Sequence, residues 1–416
     1  MTKVIFYVPL FFIAYTYLGY GVLILTLSRL FAKPINKKDF KPKITVLISA
    51  YNEEKVIKER VNNILVQKYP KDLIKVIIVS AGSTDRTADI ISEIDSPNVK
   101  LIEISEKIGK AQALNQAMSL CDTEFIVLAD ARQKFDKKAI SKLMENFADE
   151  KVGAVSGELC FEKTDKTGVG EGIDFYWNYE KLLRKAESRV DSTVGATGAI
   201  YAIRKSLFKP IPADSLLDDV IIPMNIVIQG FRCVFEEEAK AYDMVANKHD
   251  HEARRKIRTI AGNFQLFFRF KSLLNPFKNR IWFQTFSHKF LRIIAPIFIA
   301  MLLISNLFLI EDIFFRALLF LQIIFYLFGI FGYSLRHTNI KFKLFSVPQT
   351  FIMLNIITIR AFWEYLFNDP QSLWRKGIDG GVCVSGDPDI RRSGSNNVPD
   401  SQITGQPEDE KTCLNT

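Results

Sequence analysis

The sequence predicts an α/β domain, built on a mostly parallel sheet, that lies between transmembrane helices. Between about residues 43 and 241, short runs rich in β-branched residues alternate with amphipathic stretches. That alternation is typical of strands separated by helices. Long apolar stretches lie before residue 28 and after residue 289, whereas charged residues concentrate between about residues 29 and 280. The chain therefore divides into a charged central domain and two apolar flanks.

Composition narrows the classes of partner. The 416 residues suffice for one ordinary domain plus a membrane region. The net charge of +9 suits nucleic acid, anionic lipid or a phosphorylated substrate. No nucleic-acid-binding pattern accompanies it, and the positive residues crowd beside apolar segments, so we expect membrane lipids and a diphosphate substrate and no nucleic acid. The scattered cysteines show no CxxC spacing, which disfavours a disulfide framework and a zinc site and fits a reducing compartment; they are Cys121, Cys160, Cys233, Cys383 and Cys413.

The first apolar stretch, Val4–Leu27, carries no charge and is long enough to cross a hydrocarbon core of about 30 Å. A signal peptide is the alternative, but the stretch exceeds an h-region and no small-residue cleavage site precedes Arg29. We therefore predict a retained anchor over residues 1–28. Basic residues follow it at Arg29, Lys33, Lys37, Lys38, Lys41 and Lys43, against Lys3 alone before it. The positive-inside rule then places the N-terminus outside and the central domain in the cytoplasm.

Four runs in the central domain, predicted to span residues 43–250, read as strands: KITVLISA, VIIVSA, VKLIEI and EFIVLAD. Helical patterns separate or follow them at Val56–Val66, Thr87–Ile94, Lys110–Ser119 and Lys138–Phe147. Nearly continuous apolar strands between helices predict a parallel sheet that is covered on both faces. In such sheets ligands bind beyond the carboxyl ends of the strands, so the loops there are the candidate site.

The C-terminal region combines an interfacial segment with further spans. Residues Glu252–Phe290 mix basic and aromatic side chains, which favours amphipathic interfacial helices over residues 251–288 rather than an ordinary core-facing helix. About three spans follow within residues 289–367, at Phe290–Ile310, Ile313–Leu335 and Leu344–Phe367.

Charges at the ends of these spans set the expected topology. The loop RHTNIKFK contains Arg336, Lys341 and Lys343 and is expected to be cytoplasmic. The last stretch contains Arg360 and Glu364, so either it crosses and the C-terminus lies outside, or it lies flat and the C-terminus lies inside. The polar tail over residues 377–416 is expected to be disordered.

Two loops after strands carry polar groups suited to a nucleoside. The first strand is followed by Tyr51 and Glu53, whose loop suits ribose hydroxyls and a base edge, although an Asn-Glu turn is also an ordinary helix entry. The second strand is followed by Gly82, Ser83 and Asp85, where small residues let the backbone approach a ligand. A capped strand-to-helix turn is the alternative reading of that second loop.

The next two loops carry groups suited to a diphosphate. Lys110, directly after Gly109, opens a helix, so backbone amides and an ammonium meet where a phosphate would bind. Asp130 follows the fourth strand, with Arg132 two residues later. A carboxylate there is suited to hold Mg²⁺ or Mn²⁺ against a diphosphate, because hard cations prefer oxygen ligands.

An acidic pair supplies a candidate base. Asp218 and Asp219 begin a helix, where they would either complement the helix dipole or take the proton of an acceptor hydroxyl. The segment that includes Gly198 offers a surface almost free of side chains, against which a sugar would dock.

Taken in order, these pieces resemble the inverting family-2 glycosyltransferases, which include cellulose, chitin and hyaluronan synthases. The resemblance runs from about Ile44 to Phe290 through ITVLISAYNEE, VSAGSTDRT, IGKAQALNQA, the Asp of VLADARQ, GATGAIYAIR and the Asp pair of LDDVIIPM. It implies a GT-A fold and transfer of a sugar, with inversion, from a nucleotide-sugar to an acceptor. It also implies that Asp219 is the base, that Asp130 ligates a divalent metal and that Lys110 approaches the diphosphate.

Three positions depart from the family pattern. Ala81 replaces an Asp that normally contacts the base, and Arg132 replaces the second carboxylate of the DxD motif. The QxxRW motif of chain-building members is reduced to a segment with Arg255 and Arg258, which would still neutralise a diphosphate.

We therefore expect a multi-pass integral protein of the plasma (cell inner) membrane with a cytoplasmic catalytic domain. It would transfer sugar, with a UDP-sugar as the expected donor, to a lipid-linked or saccharide acceptor in polysaccharide or glycolipid biosynthesis. A processive synthase and a degenerate, donor-binding homologue are the alternatives.

Overall fold

The computed structural model describes residues 2–162, 170–244, 249–334 and 343–368. Its N-terminal segment is helical throughout, as α1 (Thr2–Ala14), a π-helical turn (Tyr15–Gly19) and α2 (Tyr20–Leu30). The range Lys3–Leu30 is long and apolar enough to cross a membrane. This range contains the whole stretch that the sequence predicts as an anchor.

Eight strands form one sheet in the central region. They are β1 (Ile44–Ala50), β2 (Ile74–Ala81), β3 (Val99–Ile104), β4 (Phe125–Ala129), β5 (Lys134–Phe135), β6 (Val152–Glu162), β7 (Tyr201–Arg204) and β8 (Arg232–Met244). The four strands that the sequence predicts are β1 to β4, and each lies within three residues of its predicted bounds. The prediction of a mixed α/β domain is therefore confirmed.

The strand order is β3-β2-β1-β4-β7-β6-β8-β5. β1 pairs in parallel with both β2 and β4, and β2 pairs in parallel with β3. β7 runs antiparallel to β4 and β6, while β6 and β8 are parallel to each other. The parallel half brings the carboxyl ends of β1, β2 and β4 to one edge, where ligands bind in sheets of this kind.

Helices cover both faces of the sheet. Those of the first half are α3 (Ile57–Leu65), α4 (Thr87–Ser92), α5 (Lys110–Ser119) and α6 (Ala139–Glu145); those of the second half are α7 (Gly170–Val190) and α8 (Asp218–Ile228). Alternate residues of β1 enter different cores: Leu47 packs with α5 and α8, whereas Val46 and Ile48 pack with α3 and α6. All three are fully buried, which explains the nearly continuous apolar strands.

The C-terminal region is helical. It comprises α9 (His249–Arg269), α10 (Trp282–Gln284), a π-helical turn (Thr285–Phe290), α11 (Leu291–Leu307), α12 (Ile313–Ser334) and α13 (Lys343–Phe367). Trp282–Leu307, Ile313–Ser334 and Phe345–Phe367 are each long and apolar enough to cross a membrane. With Lys3–Leu30, the described part of the chain thus has four candidate spans. Arg336, Lys341 and the tail over residues 377–416 lie outside the described residues.

α9 joins the domain to the last candidate span. Its Phe264 packs on Phe362 of α13, with ring centroids 5.1 Å apart, and its Phe268 stacks on Tyr365 at 5.7 Å. On the side facing the domain, a Cβ atom added to Gly262 would lie 2.5 Å from Leu217. α9 therefore contacts both the start of α8 and the candidate membrane helices.

A buried charge cluster joins α7 to the second candidate span. It consists of Glu180, Glu187, His288 and Arg292. His288 lies between the two carboxylates, with Nε2 2.9 Å from Glu180 and Nδ1 2.7 Å from Glu187. Arg292 pairs with Glu180, and Tyr20 of α2 donates a hydrogen bond of 2.6 Å to Glu187. Burial opposes ionisation of Glu180, but Arg292 and His288 outweigh it and hold its pKa well below the usual range.

Candidate active site

Three carboxylates meet one lysine at the edge where the parallel strands end. Lys110, the first residue of α5, places its Nζ 2.8 Å from Asp130 and 3.1 Å from Asp218. Burial disfavours the charged ammonium, yet the two carboxylates outweigh that cost and raise the pKa of Lys110 well above its usual range. The lysine is therefore a permanent cation at the centre of the acidic group.

Asp219 is the third carboxylate, and the Gly195–Ala199 segment holds it from two directions. Its Oδ2 accepts a hydrogen bond of 2.9 Å from the backbone amide of Gly198. Its backbone carbonyl accepts one of 2.7 Å from the amide of Ala196. Burial and the neighbouring Asp218 raise the pKa of Asp219 to about 6, against the lowering influence of Lys110. A carboxylate with that pKa is suited to take up a proton near neutral pH.

Gly198 marks the point where the carboxylates converge. A Cβ atom placed there would lie 3.3 Å from Asp219 Oδ2 and 3.4 Å from Asp130 Oδ2. Two carboxylate oxygens from different elements thus face the same small space. A side chain at position 198 would fill that space. Glycine leaves it open, as the predicted sugar-docking surface requires.

The loops after β1 and β2 are tied to each other. The backbone amide of Asn52, which has a φ of 52°, donates to Ser83, and the backbone amide of Glu54 donates 3.1 Å to Asp85. Asp85 also accepts a hydrogen bond of 3.0 Å from the amide of Thr87 at the start of α4. The carboxylate of Asp85 therefore orders both loops, which is the capping role that the sequence left open.

Tyr51 and Gly82 meet at Lys107. The ammonium of Lys107 lies 2.5 Å from the hydroxyl of Tyr51 and 3.8 Å from the centroid of its ring. Gly82 has a φ of 69°, and a Cβ atom there would lie 2.7 Å from the Lys107 backbone. Only glycine meets both conditions. Lys107 was not predicted as a site residue, although it directly precedes the segment IGKAQALNQA.

Arg132 turns toward the loop after β1. Its Nε lies 2.9 and 3.0 Å from the two carboxylate oxygens of Glu53. Burial raises the pKa of Glu53, and Arg132 opposes that shift. The negative charges of Asp130 and Asp85 also raise the pKa of Glu53, so the loops after β1 and β2 are electrostatically coupled to the acidic group.

Arg60 fixes the position of Asp130 through its backbone carbonyl. It is 3% exposed, and its Nε donates 3.2 Å to the backbone carbonyl of Asp130. Its guanidinium lies 3.9 Å from the centroid of the Phe135 ring. Burial lowers the pKa of Arg60 to about 9. The sequence analysis missed this residue, although a lone arginine on the apolar face of a helix is a usable signal.

The two arginines from α9 behave differently. Arg255 lies 3.4 Å from Asp243 of β8. Arg258 is half-buried, and burial lowers its pKa while Asp130, Asp218 and Asp219 oppose that shift. Arg258 therefore lies within electrostatic range of the acidic group, while Arg255 pairs with Asp243.

A divalent metal would find few ligands from the protein itself. In the described ranges no three His, Cys, Asp or Glu side chains form a metal-binding group. Asp130 Oδ2 and Asp219 Oδ2 nevertheless face one space, and Mg²⁺ is commonly held by one or two carboxylates together with substrate phosphates. The oxygen donors thus fit a cation that binds together with a diphosphate.

This sheet and this site define a GT-A nucleotide-sugar transferase fold. Residues 45–211 match the family model described as glycosyl transferase family 2, and the chain contains a domain of this family. A search of solved structures finds a mannosyltransferase, PcManGT from Pyrobaculum calidifontis, determined in complex with GDP-Man and Mn²⁺. It superposes with a TM-score of 0.67 at 23% identity, covering 88% of this chain and 99% of that one. At that identity the likeness supports the fold alone.

Curated relatives are polymer synthases. The chain is 26% identical over 243 residues to the poly-β-1,6-N-acetyl-D-glucosamine synthase of Staphylococcus aureus strain COL, covering 57% of this chain and 58% of the relative. It is 23% identical over 232 residues to the synthase of the same name from Staphylococcus epidermidis, covering 54% and 56%. The alignments thus span less than two thirds of the relatives' length.

Proposed function

We propose that this protein is a membrane glycosyltransferase that moves a sugar from a nucleoside diphosphate sugar, with a UDP-sugar as the first candidate, to a lipid-linked or saccharide acceptor. The observation that carries the proposal is the convergence of Asp130, Asp219 and Gly198 beside the cation of Lys110. A base of raised pKa, a permanent cation and a space without side chains are what sugar transfer from a diphosphate requires.

The donor would lie along the ends of β1, β2 and β4. Tyr51, Glu53 and the loop from Gly82 through Ser83 to Asp85 would frame the nucleoside. Lys110 and Arg258 would neutralise the diphosphate, and a guanidinium is well suited to bind phosphate oxygens. Arg132 would reach the diphosphate after leaving Glu53, and Arg255 would contribute from the next turn of α9. The sugar would rest against Gly198.

Asp219 would then act as the base. Its carboxylate removes the proton of the acceptor hydroxyl while the hydroxyl oxygen attacks the anomeric carbon of the donor. The bond between that carbon and the diphosphate oxygen breaks, and the nucleoside diphosphate leaves with the bonding electron pair. One displacement inverts the anomeric centre. Asp218 holds Lys110 beside the leaving group, since the two side chains are 3.1 Å apart.

Asp130 would hold a divalent metal, Mg²⁺ or Mn²⁺, together with the donor diphosphate. Such a cation supplies neutralisation of charge on the leaving group. Asp130 is itself held by Lys110 through its side chain and by Arg60 through its backbone.

We further propose that the chain is a multi-pass protein of the plasma membrane with its catalytic domain in the cytoplasm. Lys3, the first residue of the first candidate span, lies 3.5 Å from Asp312, between the second and third spans. That contact supports a common side for both positions, opposite the domain, as the charge distribution predicts.

A processive synthase is the second candidate, because the curated relatives form a polymer. The test is a panel of UDP- and GDP-sugars with protein in detergent, offering lipid extract or oligosaccharide as acceptor. Release of one nucleotide with a short product would support the proposal, while a product far longer than its acceptor would support the processive synthase. Donor binding without turnover in any combination would instead support a degenerate homologue.

A further inference from the structure

Two cations near Asp219 lie on elements that join the domain to the candidate membrane helices. Arg184 lies on α7, and Lys289 lies in the π-helical turn that opens the second candidate span, Trp282–Leu307. Neither stands in the family motifs, although Lys289 lies within the basic and aromatic segment Glu252–Phe290. Both are half-buried rather than extended into solvent.

Both cations lack a full set of partners. The contact of Arg184 is one long hydrogen bond, 3.4 Å from Nη2 to the carbonyl of Ala196. In the described part of the chain, Lys289 has no hydrogen bond and no salt bridge through its ammonium. The nearest acids, Glu180 and Glu187, are already engaged by Arg292, His288 and Tyr20. The positive charge is therefore in excess at this place.

The excess charge is adjacent to the reacting centre. Arg184 is bound to the carbonyl of Ala196, and the amide of the same residue donates 2.7 Å to the backbone of Asp219. Lys289 is close enough to Asp219 to act against the rise of its pKa. Lys110, which would face the donor diphosphate, pairs with Asp130 and Asp218. Arg184 and Lys289 are thus further cations near Asp219 that the proposed donor site does not use.

We propose that Arg184 and Lys289 bind the phosphate group of a lipid-anchored acceptor, a sugar joined to its lipid through a phosphate or diphosphate. The inference rests on the proposed function and specifies the acceptor. Half-buried cations beside membrane helices are suited to anionic lipid headgroups, and paired cations hold phosphate oxygens strongly. The lipid would lie beside the second span, so its sugar hydroxyl would reach Asp219 from the membrane surface.

The test measures binding of three probes to the protein in phosphatidylcholine nanodiscs, with UDP or GDP present to fill the donor side. The probes are an isoprenyl diphosphate, the corresponding neutral isoprenol and inorganic diphosphate. We expect the isoprenyl diphosphate to bind most tightly, and Lys289→Gln and Arg184→Gln each to weaken it by about tenfold or more. Lys289→Arg should retain binding, which separates a charge requirement from misfolding.

Lys278→Gln is the matched control, because Lys278 is exposed just before the same span and its ammonium has no hydrogen bond or salt bridge within the described residues. Its affinity for the isoprenyl diphosphate should equal that of the wild type. Equal binding of the isoprenol, or no loss in either Gln variant, would overturn the inference. Inorganic diphosphate binding as tightly as the lipid would also overturn it, since the site would then recognise free phosphate.

The same variants separate this inference from the proposed function. If the wild type consumes no donor with any acceptor, the proposed function is wrong. The binding measurements would still show whether Arg184 and Lys289 bind a lipid-linked phosphate. If the wild type transfers sugar equally well to a neutral oligosaccharide and to a phosphate-linked lipid, the transferase stands and the phosphate site is wrong. An increase in KM for the lipid acceptor in Lys289→Gln, larger than the change in kcat, is the expected kinetic result.

Discussion

Replacement of Asp219 by asparagine is the most direct test of the catalytic centre. The substitution keeps the size of the side chain, and the amide oxygen can still accept the hydrogen bond of 2.9 Å from the Gly198 backbone. It removes the ability to take up a proton, together with one negative charge. General base catalysis contributes about 10²–10⁴ in rate, which corresponds to about 3–5 kcal/mol of barrier. We expect kcat to fall by that factor while the KM for the donor changes little.

The pH dependence of the activity is an independent test of Asp219 as the base. Because the pKa of Asp219 is raised to about 6, the ionised base outnumbers the protonated form by roughly ten to one at neutral pH. Activity should therefore decline as the pH falls through about 6, since protonated Asp219 cannot act as a base. In Asp219→Asn this acid limb should be missing from whatever activity remains.

The assay is nucleotide release coupled to product detection, across a pH series, for protein in detergent. Asp218→Asn is the matched comparison, because it also removes one acidic charge but breaks the contact with Lys110 instead. It should reduce the rate and keep an acid limb, moved to lower pH because Asp218 no longer raises the pKa of Asp219. Near wild-type turnover in Asp219→Asn, or an unchanged acid limb in that variant, would refute Asp219 as the base.

Three further predictions follow from individual contacts. Gly82→Ala should destabilise the protein by more than the roughly 1–2 kcal/mol that a left-handed backbone alone costs, because the added Cβ would also lie 2.7 Å from the Lys107 backbone. Gly230→Ala is the control in a thermal unfolding comparison, because Gly230 has a φ of 98° and open space around it, so only the backbone cost applies. Chelation by EDTA should suppress transfer and Mn²⁺ should restore it if Asp130 holds a metal, whereas full activity in EDTA would remove that role. Glu53→Gln should raise the KM for the donor several-fold, because it removes a carboxylate proposed to frame the nucleoside and weakens the 2.9 Å pairing that orders Arg132; an unchanged KM would show that Glu53 takes no part in donor binding.

The parallel half of the sheet could be predicted because its strands are buried on both faces. Residues of β1 such as Val46 and Leu47 enter opposite cores, so the strand reads as an uninterrupted apolar run between polar loops. The other half, which mixes parallel and antiparallel pairs, gives a weaker pattern. β7 is only four residues long, and β8 contains three successive glutamates, Glu236–Glu238. The sequence analysis therefore proposed none of these strands.

The position of the site could be predicted from the sequence, but the side-chain contacts within it could not. Loops at the carboxyl ends of parallel strands must meet, so Tyr51, Gly82 and Asp130 could be grouped before any coordinates. The choice of partner depends on side-chain reach across the chain: Arg132 turns to Glu53, 79 residues away, and Lys110 bridges to an aspartate 108 residues later. No local spacing encodes such contacts, because they depend on the folded geometry.

The buried charge cluster between α7 and the second candidate span has a practical consequence for anyone expressing this protein. Glu180 and Glu187 have their partners, Arg292 and His288, on the membrane side of the junction. A truncated, water-soluble version of the catalytic domain would keep both acids and lose both partners. Breaking a buried ion pair in this way costs about 3–5 kcal/mol, a large fraction of the stability of an ordinary domain. The candidate membrane helices are therefore part of what folds the domain, and the shortest useful protein should retain them.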